Sequence, residues 1–236
     1  MIDPAAGAAS RTSLLITGFG PFPRMADNAT RRLVPALGEA IPRLFPGVVV
    51  HTEILDTEWV AAPRRLDELV AGMAPDIALH FGVSAKARGF EVEAVGRNVR
   101  DDVADGCGER PATTSIARKG PATLHSTLPV ALIVERLRAR GLPAFVSRDA
   151  GGYLCNALLY HSLANGRSEP MRTRRGFVHI PAQLAAVRPG LGRWRARSPL
   201  DWAQALTGGI EIVAAALGQS TPHGAARAVA MHDWSD

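Results

Sequence analysis

The stretch S-R-D-A-G-G-Y-L-C-N-A-L-L-Y-H-S (Ser147–Ser162) carries strand, turn and helix signals within one short span. It begins as the apolar run Ala144-Phe145-Val146 ends, and that run reads as a buried strand. Asp149-Ala150-Gly151-Gly152 then reads as a turn. Beyond it, Leu154, Leu158, Leu159 and Leu163 recur at helical spacing on one face. Cys155 falls in the first turn of that helix, where unpaired N–H groups and the positive end of the helix dipole bias a thiol toward thiolate. A strand, a glycine turn and a Cys at a helix mouth suit a nucleophile. The competing use of such a Cys is as a small buried hydrophobe.

The same alternation of strand and helix runs outward in both directions. Ser13–Thr17 reads as a first strand ending at Gly18, and Thr30–Leu44 as a helix that Pro35 should distort. Val48–Leu55 and Asp76–Val83 read as strands around an amphipathic helix, Trp59–Met73, with Arg64, Arg65 and Glu68 outward. A β-α-β-α-β order implies a largely parallel central sheet with helices on both faces. Phe90–Val95 alternates, which sets Glu91 and Glu93 on one side of a strand, a pairing ordinarily met by solvent. Asn98–Ser126 is irregular and reads as a long loop, with room for a short hairpin. Leu128–Arg140 reads as a helix stopped by Gly141 and Pro143, Gly176–Pro181 as a strand, and Trp202–Leu217 as a closing helix.

Bulk properties narrow the function classes. The chain has 236 residues, enough for one large domain with its own core. Two cysteines, Cys107 and Cys155, make no disulfide framework, so a reducing cytoplasm is expected. No apolar run reaches the length of a membrane span, and M-I-D-P-A-A-G-A-A-S at the start reads as a loose tail rather than a signal. The net charge of +5 is nearly all arginine, densest at Arg172–Arg175 and Arg193–Arg197. With only two tyrosines and no aromatic interleaving there, a nucleic-acid platform is not expected. G-x-G at Gly18–Gly20 lacks the third glycine of a dinucleotide loop, since Pro23 occupies that place. Phe19 and Phe22 in this rigid loop suit either walling a small pocket or capping the sheet edge. No C-x-x-C, H-E-x-x-H or close His pair is present, so no metal site is expected.

A thiolate nucleophile needs a base and a group to orient that base. His179, late in its strand and followed by Pro181 two residues on, is the natural partner, with His80 the runner-up. Ligand sites in open α/β sheets form outside the carboxyl ends of strands, where His179, the Cys155 turn and the Gly18–Phe22 loop are all expected. Spacing leaves the orienting carboxylate open among Glu91, Glu93 and Asp149. Cys107, between two glycines in the long loop, is a poor nucleophile.

Four ordered blocks then carry a resemblance: T-G-F-G-P-F (Thr17–Phe22) with Asn28, F-E-V-E-A-V-G-R-N (Phe90–Asn98), A-G-G-Y-L-C-N (Ala150–Asn156) and G-F-V-H-I-P (Gly176–Pro181). In order and spacing they resemble the pyroglutamyl peptidase I family, also called pyrrolidone carboxyl peptidase, over about residues 13–218. The resemblance implies an α/β fold, a single three-layer α/β/α sandwich on a mostly parallel mixed sheet. Its expected extent is one domain over 13–218, with tails at 1–12 and 219–236. It further implies Cys155 as nucleophile, His179 as general base, Glu93 as the third member, and Phe19 and Phe22 against the pyrrolidone ring. The expected activity is that of a cofactor-free cysteine omega-peptidase on N-terminally pyroglutamylated peptides, assembled as a homo-dimer or homo-tetramer. Two departures stand out: Val103 replaces an Arg common in bacterial members, and A-G-G-Y replaces A-G-T-Y. They leave room for a weakened member that binds pyroglutamyl or other lactam ligands, or for a cysteine amidohydrolase on another small lactam.

Overall fold

The computed structural model describes residues 11–22, 25–166, 173–185 and 199–225. Its first half lays down β1 (Thr12–Phe19), α1 (Thr30–Leu44), β2 (Val48–Leu55), α2 (Ala61–Met73) and β3 (Ile77–Ser84). There follow β4 (Phe90–Glu93), β5 (Val95–Arg97), β6 (Thr123–His125), α3 (Val130–Ala139), β7 (Ala144–Ser147), α4 (Leu154–Asn165), β8 (Arg174–Pro181) and α5 (Trp202–Leu217). The main sheet has the order β2-β1-β3-β8-β4-β7, and β5 pairs with β6 in a small second sheet. Strand β4 runs antiparallel to β8 while every other pairing in the main sheet is parallel. The sheet is therefore mixed, with β4 and β7 running against the other four.

Both faces of the sheet are covered, which is why the central strands read as continuous apolar runs. Leu14, Leu15 and Ile16 of β1 are all fully buried although they point to opposite faces. On one side α1, α3 and α5 share a core that includes Leu37, Ile41, Ile133, Leu137 and Ile210. On the other, α2 and α4 enclose Leu66, Leu69, Leu158, Leu159 and Leu163. The result is a three-layer α/β sandwich, as expected.

Several local expectations need correction. Helix α1 runs unbroken through Pro35 and Pro42. Pro35 lies on the exposed side, where the carbonyl left without its hydrogen bond can turn to water. Strand β7 is an edge strand rather than a buried one, with Phe145 and Val146 44% and 47% exposed. The single strand expected over Phe90–Val95 divides at Ala94, because β4 belongs to the main sheet and β5 to the small one. The Ala94 N–H donates to Ser147 O (2.7 Å) and its carbonyl accepts from Ser126 N–H (3.0 Å), so each side of the break is tied to a different partner. Residues 1–10, 226–236 and the arginines at 193–197 lie outside the described residues. Gln219 and Thr221, at the start of the segment read as a tail, are held by Arg136, which donates to Gln219 O (2.6 Å) and Thr221 Oγ1 (3.2 Å).

His80, the runner-up base, is fully buried on β3, with Nδ1 2.8 Å from Thr17 Oγ1 and Nε2 2.9 Å from Ser162 Oγ. Both ring nitrogens are committed to hydroxyls, so it ties α4 to the sheet. Burial, then the positive charges of Arg175 and His161, push its pKa down to about 3. An unfolded chain protonates this ring near pH 6.5 while the folded one does not, so stability falls as pH drops through that window. Urea midpoints measured from pH 7 to pH 4 are expected to decline more steeply in the wild type than in His80→Gln. Equal slopes would remove His80 as the cause.

Candidate active site

The β4–β8 ladder brings the acid and base candidates together. Glu91 lies directly opposite His179, and Glu93 opposite Phe177, so all four side chains share one face of the sheet. His179 Nδ1 is 2.8 Å from Glu93 Oε1, a diagonal contact across the pair. Glu93 is completely buried and His179 is 5% exposed, which overturns the solvent-facing expectation for Glu93, while Glu91 is half-buried. Asp149, the third carboxylate considered, instead sits on the surface against Arg97 (2.5 Å).

Cys155 is the second residue of α4, which starts at Leu154 after the extended Tyr153. The helix mouth lies over β3 and β8. A Cβ built at Gly82 would stand 2.9 Å from Cys155 Sγ and 2.6 Å from Phe177 Cζ, so the glycine is what lets sulfur and ring approach the sheet. Gly82 pairs in register with His179, and the sulfur lies within hydrogen-bonding reach of that imidazole. Burial disfavours the charged imidazole, but the charge and hydrogen bond of Cys155, with those of Glu93, outweigh it and hold the His179 pKa up to about 10. Sulfur, imidazole and carboxylate thus form one chain of contacts from α4 through β8 to β4, over Gly82 of β3. The site is level with the carboxyl ends of β1, β3 and β8, whereas β7, which leads to Cys155, enters from the opposite direction.

The turn ahead of Cys155 is fixed on both sides. Gly151 adopts φ +82°, and its N–H donates to Asp149 Oδ1 (3.0 Å). Asp101 N–H donates to Gly152 O (2.7 Å), and a Cβ on Gly152 would meet the Asp101 carboxylate 2.2 Å away. Asn156, fully buried, donates to Arg97 O (2.9 Å) and Val99 O (2.7 Å) and accepts from Arg97 N–H (2.9 Å). The nucleophile candidate is therefore bracketed by backbone from the β5 segment.

An apolar wall adjoins the sulfur. Phe19, Trp59 and Leu154 belong to one buried cluster against which Tyr153 and Cys155 pack. Tyr153 stacks edge-on to Trp59 at 5.2 Å and lies 5.8 Å from Phe22. The loop bearing the two phenylalanines is held stiffly: Phe19 N–H donates to Thr30 Oγ1 (2.9 Å), and Gly20 O accepts from Thr57 Oγ1 (3.1 Å) and Asn28 Nδ2 (3.2 Å). The long loop from Asn98 folds onto the same wall. Asp105 accepts from the N–H groups of Trp59, Cys107 and Glu109 (2.9, 3.1 and 2.9 Å), and Trp59 Nε1 donates to Val103 O (3.0 Å). Cys107 is exposed and its thiol donates to Asp105. Among the described residues, the Glu91, Glu93 and His179 donor atoms form the cluster tight enough for a metal ion, all within 4.8 Å of one another. An ion there would compete with the Nδ1–Oε1 hydrogen bond.

Residues 12–212 match the family described as pyroglutamyl peptidase. The chain belongs to that family. It is 37% identical over 185 residues to pyrrolidone-carboxylate peptidase 1 of Ralstonia nicotianae, covering 75% of this chain and 83% of the relative. The pyrrolidone-carboxylate peptidase of Cupriavidus pinatubonensis is 40% identical over 185 residues, with the same shares covered. A crystal structure of a mutant pyrrolidone carboxyl peptidase from Pyrococcus furiosus superposes with a TM-score of 0.76 at 26% identity, over 88% of this chain and 99% of that one.

In this pyroglutamyl peptidase family member Val103 stands where bacterial members commonly carry an Arg, and of the two nearby arginines that could substitute, Arg97 and Arg100, only one reaches the Cys155 turn. Val103 hydrogen-bonds only through its backbone, its N–H donating to Asp101 O (2.9 Å) and its carbonyl accepting from Trp59 Nε1 (3.0 Å). Arg100 turns into the long loop, donating to Thr113 O (2.7 Å) and Thr113 Oγ1 (3.0 Å). Arg97 instead reaches the Cys155 turn, donating to Asp149 Oδ1 (2.5 Å) and Gly151 O (3.3 Å). Sequence reasoning named neither Gly82, Phe177, Trp59 nor Tyr153 as site residues. A glycine inside the apolar β3 run was the one available signal, since an interior strand glycine marks close approach of another group.

Proposed function

We propose that this pyroglutamyl peptidase family member is a cysteine omega-peptidase that cleaves the bond after an N-terminal pyroglutamyl residue. The observation that carries the reading is the contact chain Cys155–His179–Glu93, half-buried at the sulfur and buried at the other two, with the Nδ1–Oε1 link at 2.8 Å. Cys155 Sγ attacks the carbonyl carbon joining the lactam residue to the next, and the C–N bond breaks. His179 passes the proton to the departing amine. Water then attacks the thioester, His179 takes its proton, the C–S bond breaks and pyroglutamate leaves. Glu93 fixes the ring so that Nε2 faces the sulfur and supports the imidazolium. Backbone N–H groups at the start of α4 have no acceptor within the helix and are placed to stabilise the oxyanion. The pyroglutamyl ring is a neutral lactam, and the wall of Phe19, Phe22, Trp59 and Tyr153 suits it without a charged selector.

A cytoplasmic, homo-oligomeric enzyme accords with two unpaired cysteines and with the family resemblance. No described helix is long and apolar enough to cross a membrane. The test is release of a fluorogenic arylamine from its pyroglutamyl and prolyl derivatives, before and after treatment with a neutral thiol alkylator. Selective, alkylator-sensitive release of the pyroglutamyl compound is expected. Turnover no faster than with the prolyl control would overturn the reading.

A further inference from the structure

We propose that Glu91 is a positioning residue for His179, a second carboxylate whose charge holds the imidazolium in place beside Cys155. The inference rests on the assignment of Cys155, His179 and Glu93 as the reacting chain. Three observations carry it. Glu91 is the residue directly across the β4–β8 ladder from His179. Its carboxylate lies within 4.8 Å of the imidazole and of Glu93. Glu93, fully buried, makes its hydrogen bond to the ring through Oε1, and its Oε2 has no hydrogen-bond partner among the described residues.

Among the described residues, the ionisable groups facing the imidazole are Cys155 from α4 and Glu91 and Glu93 from β4, while β3 presents Gly82 in register. Glu91 itself faces His179 and Glu93, with Phe145 of β7 on its other flank. Burial pushes its pKa up, His179 pulls it down, and Glu93 pushes it up again. Ionised, Glu91 adds a second negative charge beside the ring and so favours the imidazolium. A carboxylate whose folded pKa is raised favours the folded state below its unfolded pKa and loses that advantage as pH climbs. An ionised Glu91 therefore costs stability while serving the site.

The experiment is the pH profile of kcat/KM on a pyroglutamyl arylamide for the wild type, Glu91→Gln, Glu91→Asp and Glu93→Gln, with urea midpoints at pH 7.5. In Glu91→Gln the alkaline limb is expected to move down by about one pH unit, and Glu91→Asp should restore part of it. Its urea midpoint should rise or hold, where a purely structural glutamate would lower it. An alkaline limb superimposable on that of the wild type, alongside a collapsed Glu93→Gln, would overturn the Glu91 role alone. Full turnover by Glu93→Gln would overturn the reacting chain and this role with it.

Discussion

Cys155→Ser is expected to lower kcat/KM for pyroglutamyl arylamides by at least about four orders of magnitude. The loss goes beyond exchanging a good nucleophile for a weaker one. His179 is held protonated up to about pH 10 by the sulfur and by Glu93. A serine hydroxyl remains neutral across that range and would need a base to take its proton. Removing the sulfur withdraws part of the support for the imidazolium, yet the ring still faces Glu93 at 2.8 Å. Its proton affinity stays ill matched to a serine. The fold has little reason to change, because Cys155 packs only at the margin of its apolar cluster. The check is a progress curve at high enzyme concentration together with an unchanged far-ultraviolet spectrum. A serine variant retaining a tenth of the wild-type rate would show that the reaction does not pass through this atom.

Glu93→Gln should be nearly as damaging, lowering kcat by about three orders of magnitude with a smaller effect on KM. The amide has the same shape, so packing in this sealed position is preserved. Its NH2 group, however, cannot accept the imidazole proton, and its oxygen carries no full charge to stabilise the imidazolium. The ring is then free to turn or to hold its proton on the wrong nitrogen. A larger share of the alkaline limb should also disappear than in Glu91→Gln, because Glu93 touches the ring while Glu91 acts from nearby. Steady-state kinetics across pH test both points. A kcat within fivefold of the wild type would remove Glu93 from the mechanism.

The sequence was most readable where local signals agreed. Gly151-Gly152 followed by leucines at helical spacing announced the turn and α4, and Gly151 does take a positive φ. Parallel strands β1, β2 and β3 showed themselves as apolar runs separated by helices, which follows from burial on both faces. Orientation was not legible in the same way. Nothing in F-E-V-E tells which neighbour it pairs with, and only the antiparallel alignment to β8 places Glu91 and Glu93 beside His179. The run Ala144–Val146 has the same composition whether central or at an edge, and here Arg138 lies over the outer Phe145 ring at 5.8 Å. Short β6 was hidden inside a loop because its residues gain strand geometry from pairing with β5 rather than from their own preferences. The choice of Glu93 over Glu91 came from family resemblance, and alternation alone could not have made it.

The two halves of the site are mounted differently, and this bears on how the molecule would wear out. Imidazole and carboxylate ride two rungs apart on one hydrogen-bonded ladder, deep in a sheet that must come apart for them to separate. The sulfur rides on a helix end steadied by Asn156 and a glycine corner. Under gentle heating, aim should be lost before architecture: alkylation kinetics at Cys155 should change while the interior amides of β8 are still slow to exchange.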